Sequence, residues 1–490
     1  MSTFLSNVLK LVSGSIIAQL IGIILIPIVT RLYLPEDFGV FQLFLSISSV
    51  IVVFSALSYE HAILLPKEDD DSATIVVLCL ILILIISFLT SGIFMIFSEE
   101  IATILNTPQI SPYFTYLPFV VLLNSVFSVG TYWLSRRKRF GIIAASQIVN
   151  SVMGKAVQAG AGFYSAASFG LIIGWIVGYG ASLAVLFLQI KDDITLFRAV
   201  TIDRIKIIAV RYKKFPIFSS WSILANTIST QIATFLLVFF FTPTIVGYFS
   251  VANMVVFLPM GLIGSATSQV FFQKACEEKN QNGSIKNIVR DVQQRLISLG
   301  MFPTFALMII GADLFSVVLG PQWSVAGEYA GILAPWLLFV FIASPLSAIF
   351  SVLEKQAVDL IFNILILISR FIVLIIGGLS GNPILALILY SITGVIFWGG
   401  MNLYLLKISG IPYLIGLHDY VKYFFISFII AIPLLFVKFL SVAKPLILVV
   451  AVVVSLVYYA VIIQFDPVMK GELTAALRGL KYGRKNSSGK

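Results

Sequence analysis

Apolar runs of about 20 residues recur along the whole chain, separated by short polar stretches. At ~1.5 Å rise per residue, twenty helical residues cross the ~30 Å hydrocarbon core of a bilayer. The every-second-residue alternation of a membrane β-barrel is absent. The pattern therefore predicts an all-α polytopic membrane protein with about 14 transmembrane helices. They fall near 9–30, 39–65, 73–98, 114–134, 141–163, 168–190 and 215–241, then near 245–271, 296–319, 328–352, 357–379, 384–406, 420–440 and 445–465. The first run, Leu11–Thr30, is too long for a signal-peptide core and lacks a small-x-small cleavage site, so it reads as an uncleaved helix.

The polar stretches set the orientation. With the N-terminus in the cytoplasm, alternate loops place 27 of the 32 basic residues on that side, and only Arg31, Lys438 and Lys444 on the other. Both chain ends are then expected in the cytoplasm, with an even helix count. Lys155 and Arg370 are left inside spans. The net charge of +10 follows from basic loops beside anionic lipid headgroups, so membrane lipids, and no nucleic acid, are the expected charged partners. A hydrophobic fraction of 59% and a charged fraction of 11% exclude an ordinary soluble domain.

An internal repeat divides the chain. LPEDFGVF (Leu34–Phe41) and TPTIVGYF (Thr242–Phe249) keep proline, glycine and phenylalanine in register at an offset of 208. Gly160–Gly162 and Gly377-Gly378, like Lys191 and Lys407, recur at an offset near 216. The expectation is two six-helix lobes in parallel pseudo-repeat, 1–190 and 215–407. A basic cytoplasmic linker, 191–214, joins them. A C-terminal helix pair (408–466) and a basic cytoplasmic tail (467–490) follow. The linker reads equally as an amphipathic helix on the membrane face or as a solvated connection.

Candidate chemistry centres on the two mid-span cations. Lys155 lies within Phe140–Phe163, and Gln147, Asn150 and Gln158 fall near the same helical face. An ammonium at the bilayer centre costs roughly 2.5–3.5 kcal/mol unless it faces protein or water. Arg370 occupies the corresponding place in the second lobe. Two such cations suit an anionic group such as phosphate, through a point charge and a bidentate fork. The competing reading neutralises each with a buried acid or lets it snorkel to an interface. Asp313 and Asp359 are the candidate counter-charges, although Asp359 precedes Arg370 by three turns, about 16 Å along the axis, and cannot touch it. Glu60 and His61, read as the inner third of helix two, either titrate and couple transport to a proton or sit within reach of headgroups. The acidic run Glu68–Asp71 reads as a solvated loop, and Gly170, Gly174, Gly178 and Gly180 as a close-packing stripe.

Two cysteines, Cys79 and Cys276, and two distant histidines, His61 and His418, give no disulfide framework and no metal-ligand spacing. There is no Walker motif, and no outer loop gathers His, Arg and Asp for acid–base work. No catalytic residue, metal or cofactor is expected, H+ or Na+ coupling apart.

TRLYLPEDFGVFQLFLSISSVI (Thr30–Ile51) and YEHAILLPKEDDDSA (Tyr59–Ala73) resemble segments of the polysaccharide and O-antigen flippases of the multidrug/oligosaccharidyl-lipid/polysaccharide exporter superfamily. The resemblance implies a bacterial inner-membrane carrier. It would move undecaprenyl-pyrophosphate-linked oligosaccharides to the outer leaflet by alternating access, alongside glycan polymerase and chain-length proteins. It also implies a cationic cavity, supplied here by Lys155 and Arg370, with Gln147, Asn150, Gln158 and Arg31 as further substrate-binding positions. One alternative is a cation-coupled exporter of drugs or small metabolites, but Leu11–Thr30 lacks the acidic residue such exporters carry. The arginine cluster of peptidoglycan-precursor flippases is reduced here to Arg31. A membrane glycan polymerase or ligase is the third reading.

Overall fold

The computed structural model describes residues 2–198, 200–259, 264–440 and 442–465. The expected tail, 467–490, lies outside the described residues. Within them the chain is helical, without strands. The helices of the first half are α1 (Ser2–Leu32), α2 (Pro35–Ser55), α3 (Asp69–Ile104), α4 (Leu117–Arg136), α5 (Phe140–Phe163), α6 (Ala167–Ile190), α7 (Ile194–Arg198), α8 (Ile202–Arg211) and α9 (Ser220–Phe240). Then come α10 (Pro243–Pro259), α11 (Ser265–Asn282), α12 (Lys286–Val318), α13 (Ser324–Leu346), α14 (Ala348–Val352), α15 (Gln356–Leu379), α16 (Pro383–Ile408), α17 (Tyr413–Phe439) and α18 (Lys444–Phe465). Among the described residues, twelve helical segments are long and apolar enough to cross a membrane. Two shorter apolar helices, Ile16–Leu32 and Pro243–Leu258, sit where the first and eighth spans are expected. The multi-pass helical fold is the one the hydrophobic pattern predicts.

Three boundaries differ, each for a local reason. Helix two stops at Ser55, not at 65. Leu57 and Ser58 adopt positive φ of 49° and 60°, turning the chain into a separate 3-10 helix, Tyr59–Leu64. Glu60 and His61 are thereby taken out of the span and placed between α2 and α3, which corrects their expected position in helix two. The eighth span is expected to run to 271, but a separate polar helix, α11, runs from Ser265 to Asn282 and is closed by Gly283 in the left-handed region at φ 67°. Helix α12 begins at Lys286, ten residues before the expected 296, so that its charged first turns extend the span.

The linker is helical. Thr201 caps α8 by accepting the Arg204 amide, and the α8 residue Ile208 is buried. Ile205 and Ala209 pack beside it against the cluster around Ile83 and Trp133. Within 191–214, α8 is two-sided, with Ile208 buried and Ile202, Ile207 and Val210 exposed.

The chain divides into two compact units. The first comprises Met1–Val251 with Leu374–Pro383, the second Ala252–Val373 with Ile384–Lys490. In the first, α5 lies against α1 and α6 in a glycine-lined contact. A Cβ on Gly174 would come within 3 Å of the Gly154 carbonyl, and one on Gly178 within 3 Å of the Asn150 carbonyl. Gly170, Gly174 and Gly178 thus do act as a packing stripe, whereas Gly180 faces open space. In the second unit α12 runs through the core. Tyr458 of α18 stacks on Phe302 at 4.8 Å and donates to the Ser298 carbonyl at 2.7 Å. Lipid-facing rows such as Leu84, Phe88 and Met95 on α3, or Phe425, Ile429 and Phe436 on α17, are exposed, as hydrocarbon rather than water surrounds them.

Candidate functional site

In the first unit, Lys155 is the sixteenth residue of the 24-residue helix α5. Its ammonium donates to Gln158 Oε1 at 2.9 Å, one turn on. Gln158 is itself locked: its amide donates to the Leu171 carbonyl of α6 at 3.1 Å, and its own carbonyl accepts from Tyr33 Oη at 2.6 Å. The Tyr33 ring lies against Gly162 and Gly170, where any side chain would collide with it. Burial and the Asp37 charge push the Tyr33 hydroxyl up to about 12, so it stays a donor at neutral pH. Asn150 reaches Ser182 Oγ of α6 at 3.5 Å, and Ser151 Oγ donates to the Ala18 carbonyl of α1 at 2.8 Å. Gln147, one turn before Ser151, is half-buried. The polar face read from the sequence is therefore divided. Asn150 and Gln158 fasten α5 to α6, and Gln158 also holds the Lys155 charge in place. No described carboxylate pairs with Lys155.

Arg370, fifteenth of the 24 residues of α15, belongs to the second unit. Its guanidinium carbon lies 5.4 Å from the Trp336 ring centre and 5.3 Å from that of Tyr390. Both rings are buried and meet edge to face at 5.0 Å. Gly394 makes room for the indole, since a Cβ there would lie inside it. Cation–π attraction of about 0.5–2 kcal/mol per ring orients the guanidinium without neutralising it. Arg370, too, has no described carboxylate partner.

The remaining predicted residues are spread out. Arg31 ends α1, where a cation favours the helix C-terminus, and is exposed. Asp359 lies in the first turn of α15 and accepts from Asn363 Nδ2 at 3.3 Å, which leaves it with a helix-start role rather than beside Arg370. Asp313 is half-buried near the end of α12. One turn to either side of it, Lys438 donates to the Ile309 carbonyl and Lys444 donates to Ser316 Oγ at 3.1 Å. Glu60 is half-buried, and its Oε2 is buried without a hydrogen-bond partner among the described residues. Burial raises its carboxyl above the usual range, against the lowering effects of a backbone hydrogen bond and of His61. His61 Nδ1 lies 2.8 Å from Tyr132 Oη.

Sequence reading missed an ion-pair belt at the shared end of α3, α4 and α6. Asp193, 2% exposed, receives Arg137 at 3.0 Å, Arg139 at 3.5 Å and the Trp133 indole N–H at 3.1 Å. Asp69 binds Arg136 at 2.9 Å and also Arg137. Arg204 and Arg211 of α8 reach Asp70 and Asp71 at 3.7 and 3.4 Å. Three residues of the acidic run are thus partnered, which corrects the solvated-loop reading. A cavity of about 910 Å³ between α12, α13, α16 and α17 is lined by Met301, Phe305, Phe339 and Phe424 among others, and carries no charge. It is no anion site.

Residues 28–328, more than half of the chain, match a family described as polysaccharide biosynthesis protein. No curated protein matches the chain in sequence. Among solved structures, the lipid II flippase MurJ in an inward closed conformation superposes with a TM-score of 0.70. It is 16% identical, and the overlap covers 93% of this chain and 98% of that one. An inward-facing multidrug resistance MATE family transporter of the MOP superfamily gives a TM-score of 0.60 at 14% identity, covering 80% and 96%. The likeness to both is one of fold.

Proposed function

We propose a transport function on one premise: the chain belongs to the polysaccharide biosynthesis protein family, and its multi-pass fold is that of flippases and exporters. On this reading it is a flippase for undecaprenyl-pyrophosphate-linked oligosaccharide repeat units, such as those of O-antigen. It carries them from the cytoplasmic to the outer leaflet of the bacterial inner membrane by alternating access, with both termini in the cytoplasm. The carrying observation is that Lys155 and Arg370 sit at mid-helix, each oriented by neutral partners, an amide for one and two aromatic rings for the other. A cation held in a spanning helix without a described counter-charge is free to receive an anion such as a phosphate.

In this mechanism the lysine binds a phosphate oxygen as a point charge and the guanidinium binds through its fork. The sugars occupy the hydrated interior and the prenyl chain stays in lipid. Alternating access exposes each cation first to one face and then to the other. No step needs bond making or breaking, so no catalytic residue is assigned. The drive on this reading is a proton gradient, a sodium gradient or the passive route, and Glu60 and His61 are the titratable pair assigned to proton coupling if it operates.

Deletion of the gene tests this directly. Lipid-linked repeat units accumulate on the cytoplasmic side, and the unaltered chain restores their export. Lys155→Glu and Arg370→Glu reach the membrane in normal amount yet lower export by more than about 100-fold, the loss expected when attraction becomes repulsion. Full export by both variants would sink the site assignment. Dye efflux from vesicles with no change in surface glycan would favour the multidrug reading instead.

A further inference from the structure

A smaller cavity, about 280 Å³, lies wholly within the first compact unit, at the belt end of α3, α4 and α6. Val76, Val129, Trp133 and Leu186 form its buried floor, and Ile194 and Phe197 of the linker helix α7 wall one side. Its open side faces lipid. Leu84 and Phe88 belong to the exposed row of α3, and Leu80 and Val77, one and two turns nearer the belt on the same face, line the cavity. At the rim Phe187 and Ile194 are exposed.

Depth decides what fits. Leu80 lies eleven residues beyond Asp69, and Val126 ten residues before Arg136, so the cavity reaches about 15 Å inward from the belt at ~1.5 Å per residue. That is one leaflet's share of a hydrocarbon core about 30 Å thick. Hydrocarbon surrounds this surface, so no water is expelled when a chain enters, and the chain is held by dispersion contacts along the walls. Selectivity must come from the mouth. There Lys191, where α6 ends, is the single ionisable residue of the lining, and it is exposed. Lys191 forms no ion pair among the described residues, whereas Arg137 and Arg139 both meet Asp193 at 3.0 and 3.5 Å, and Arg139 also donates to the Gln189 carbonyl. A cation at headgroup level over a leaflet-deep apolar slot matches an acyl chain that ends in a phosphate.

We propose that this slot binds one anionic phospholipid of the cytoplasmic leaflet, with an acyl chain between α3, α4 and α6 and the phosphate on the Lys191 ammonium. Because α7 forms one wall, an occupied slot packs the linker against the spanning helices, and lipid composition acts on the protein through it. The proposal uses the cytoplasmic placement of the belt and not the identity of the cargo, so it stands or falls apart from the flippase reading.

The full chain, purified in detergent, is titrated with phosphatidylglycerol and with phosphatidylcholine of the same acyl chains while its thermal midpoint is followed. Phosphatidylglycerol stabilises at the lower concentration. Lys191→Gln raises its half-maximal concentration about fivefold, the loss of one lysine–phosphate attraction near a membrane surface, and leaves phosphatidylcholine where it was. Val126→Phe, which fills the slot and spares the charge, weakens both lipids. Lys407→Gln, which removes the cation ending α16, keeps the parent values. A phosphatidylglycerol with a photoreactive group at the end of its chain gives a readout independent of stability. It labels peptides that contain Leu80 or Val126, and excess phosphatidylglycerol competes the label away. If Val126→Phe does not accumulate, the photolabel and the two lysine variants carry the test. Equal responses of Lys191→Gln and Lys407→Gln overturn the site, as does labelling that excess phosphatidylglycerol leaves unchanged. Labelling displaced by undecaprenyl pyrophosphate and not by phosphatidylglycerol overturns the phospholipid assignment.

Discussion

Arg137 and Lys155 are cations of the same compact unit, yet they are treated in opposite ways. Arg137 meets Asp69 and, at 3.0 Å, Asp193. Lys155 has a neutral amide. The difference separates two uses of charge. The belt of Asp69, Asp193 and the arginines ties the ends of α3, α4 and α6 to the linker, a structural use in which every charge is answered. Lys155, and Arg370 between its rings in the second unit, carry a charge that no described carboxylate answers, in the most expensive part of the chain. A fold has no reason to retain such a charge for its own stability, because apolar residues of similar volume would serve as well or better.

The contrast breaks most visibly at Asp193. Asp193→Ala leaves Arg137 and Arg139 beside an emptied acceptor and frees the Trp133 indole, a loss of about 3 kcal/mol for one partner of a buried pair. The expected outcome is a large fall in thermal stability in detergent and in accumulated protein, with export per molecule retained. Normal stability would show that the belt is not structural. Lys155→Met is the mirror image: stability unchanged or raised by about 1–2 kcal/mol, because the desolvated charge is gone, and export lost. A marked drop in stability would return Lys155 to the structural class.

Much of this was legible in the sequence, and the rest was hidden for definable reasons. Hydropathy alone locates the spans, and counting basic residues by loop leaves Lys155 and Arg370 as the mid-span cations. What holds them is not legible. Trp336, Arg370 and Tyr390 come from three helices, and nothing in local spacing pairs them. Arg136–Arg139 reads as membrane-flanking charge because its acids lie more than 50 residues away in one direction and 60 in the other. The repeat motif gave Gly39 and Gly247 as matching positions, but not that they touch. The end of helix two was missed because the turn uses Leu57 and Ser58 at positive φ, where no glycine or proline warns of it. That miss placed Glu60 inside the membrane.

Glu60 now stands between the two classes, and it gives the smallest and most discriminating test. Like Lys155 it is a charge-bearing group with no described ion pair, and its Oε2 is buried without a hydrogen-bond partner among the described residues, yet it lies at the belt end of the unit, three residues after Leu57. Its carboxyl is held above the usual range by burial, so the folded chain binds the proton more tightly than the unfolded chain does. The sign follows: this group stabilises the fold below the ordinary glutamate range and loses that contribution as pH rises through its raised value. Thermal midpoints in detergent from pH 4 to pH 8 should therefore fall less steeply for Glu60→Gln than for the parent, and the two curves should meet at the acid end. If the variant's export also becomes independent of pH, the group serves transport as well as stability. If stability flattens while export keeps its pH dependence, Glu60 belongs with Asp193 as part of the frame, and proton coupling must be sought at another group.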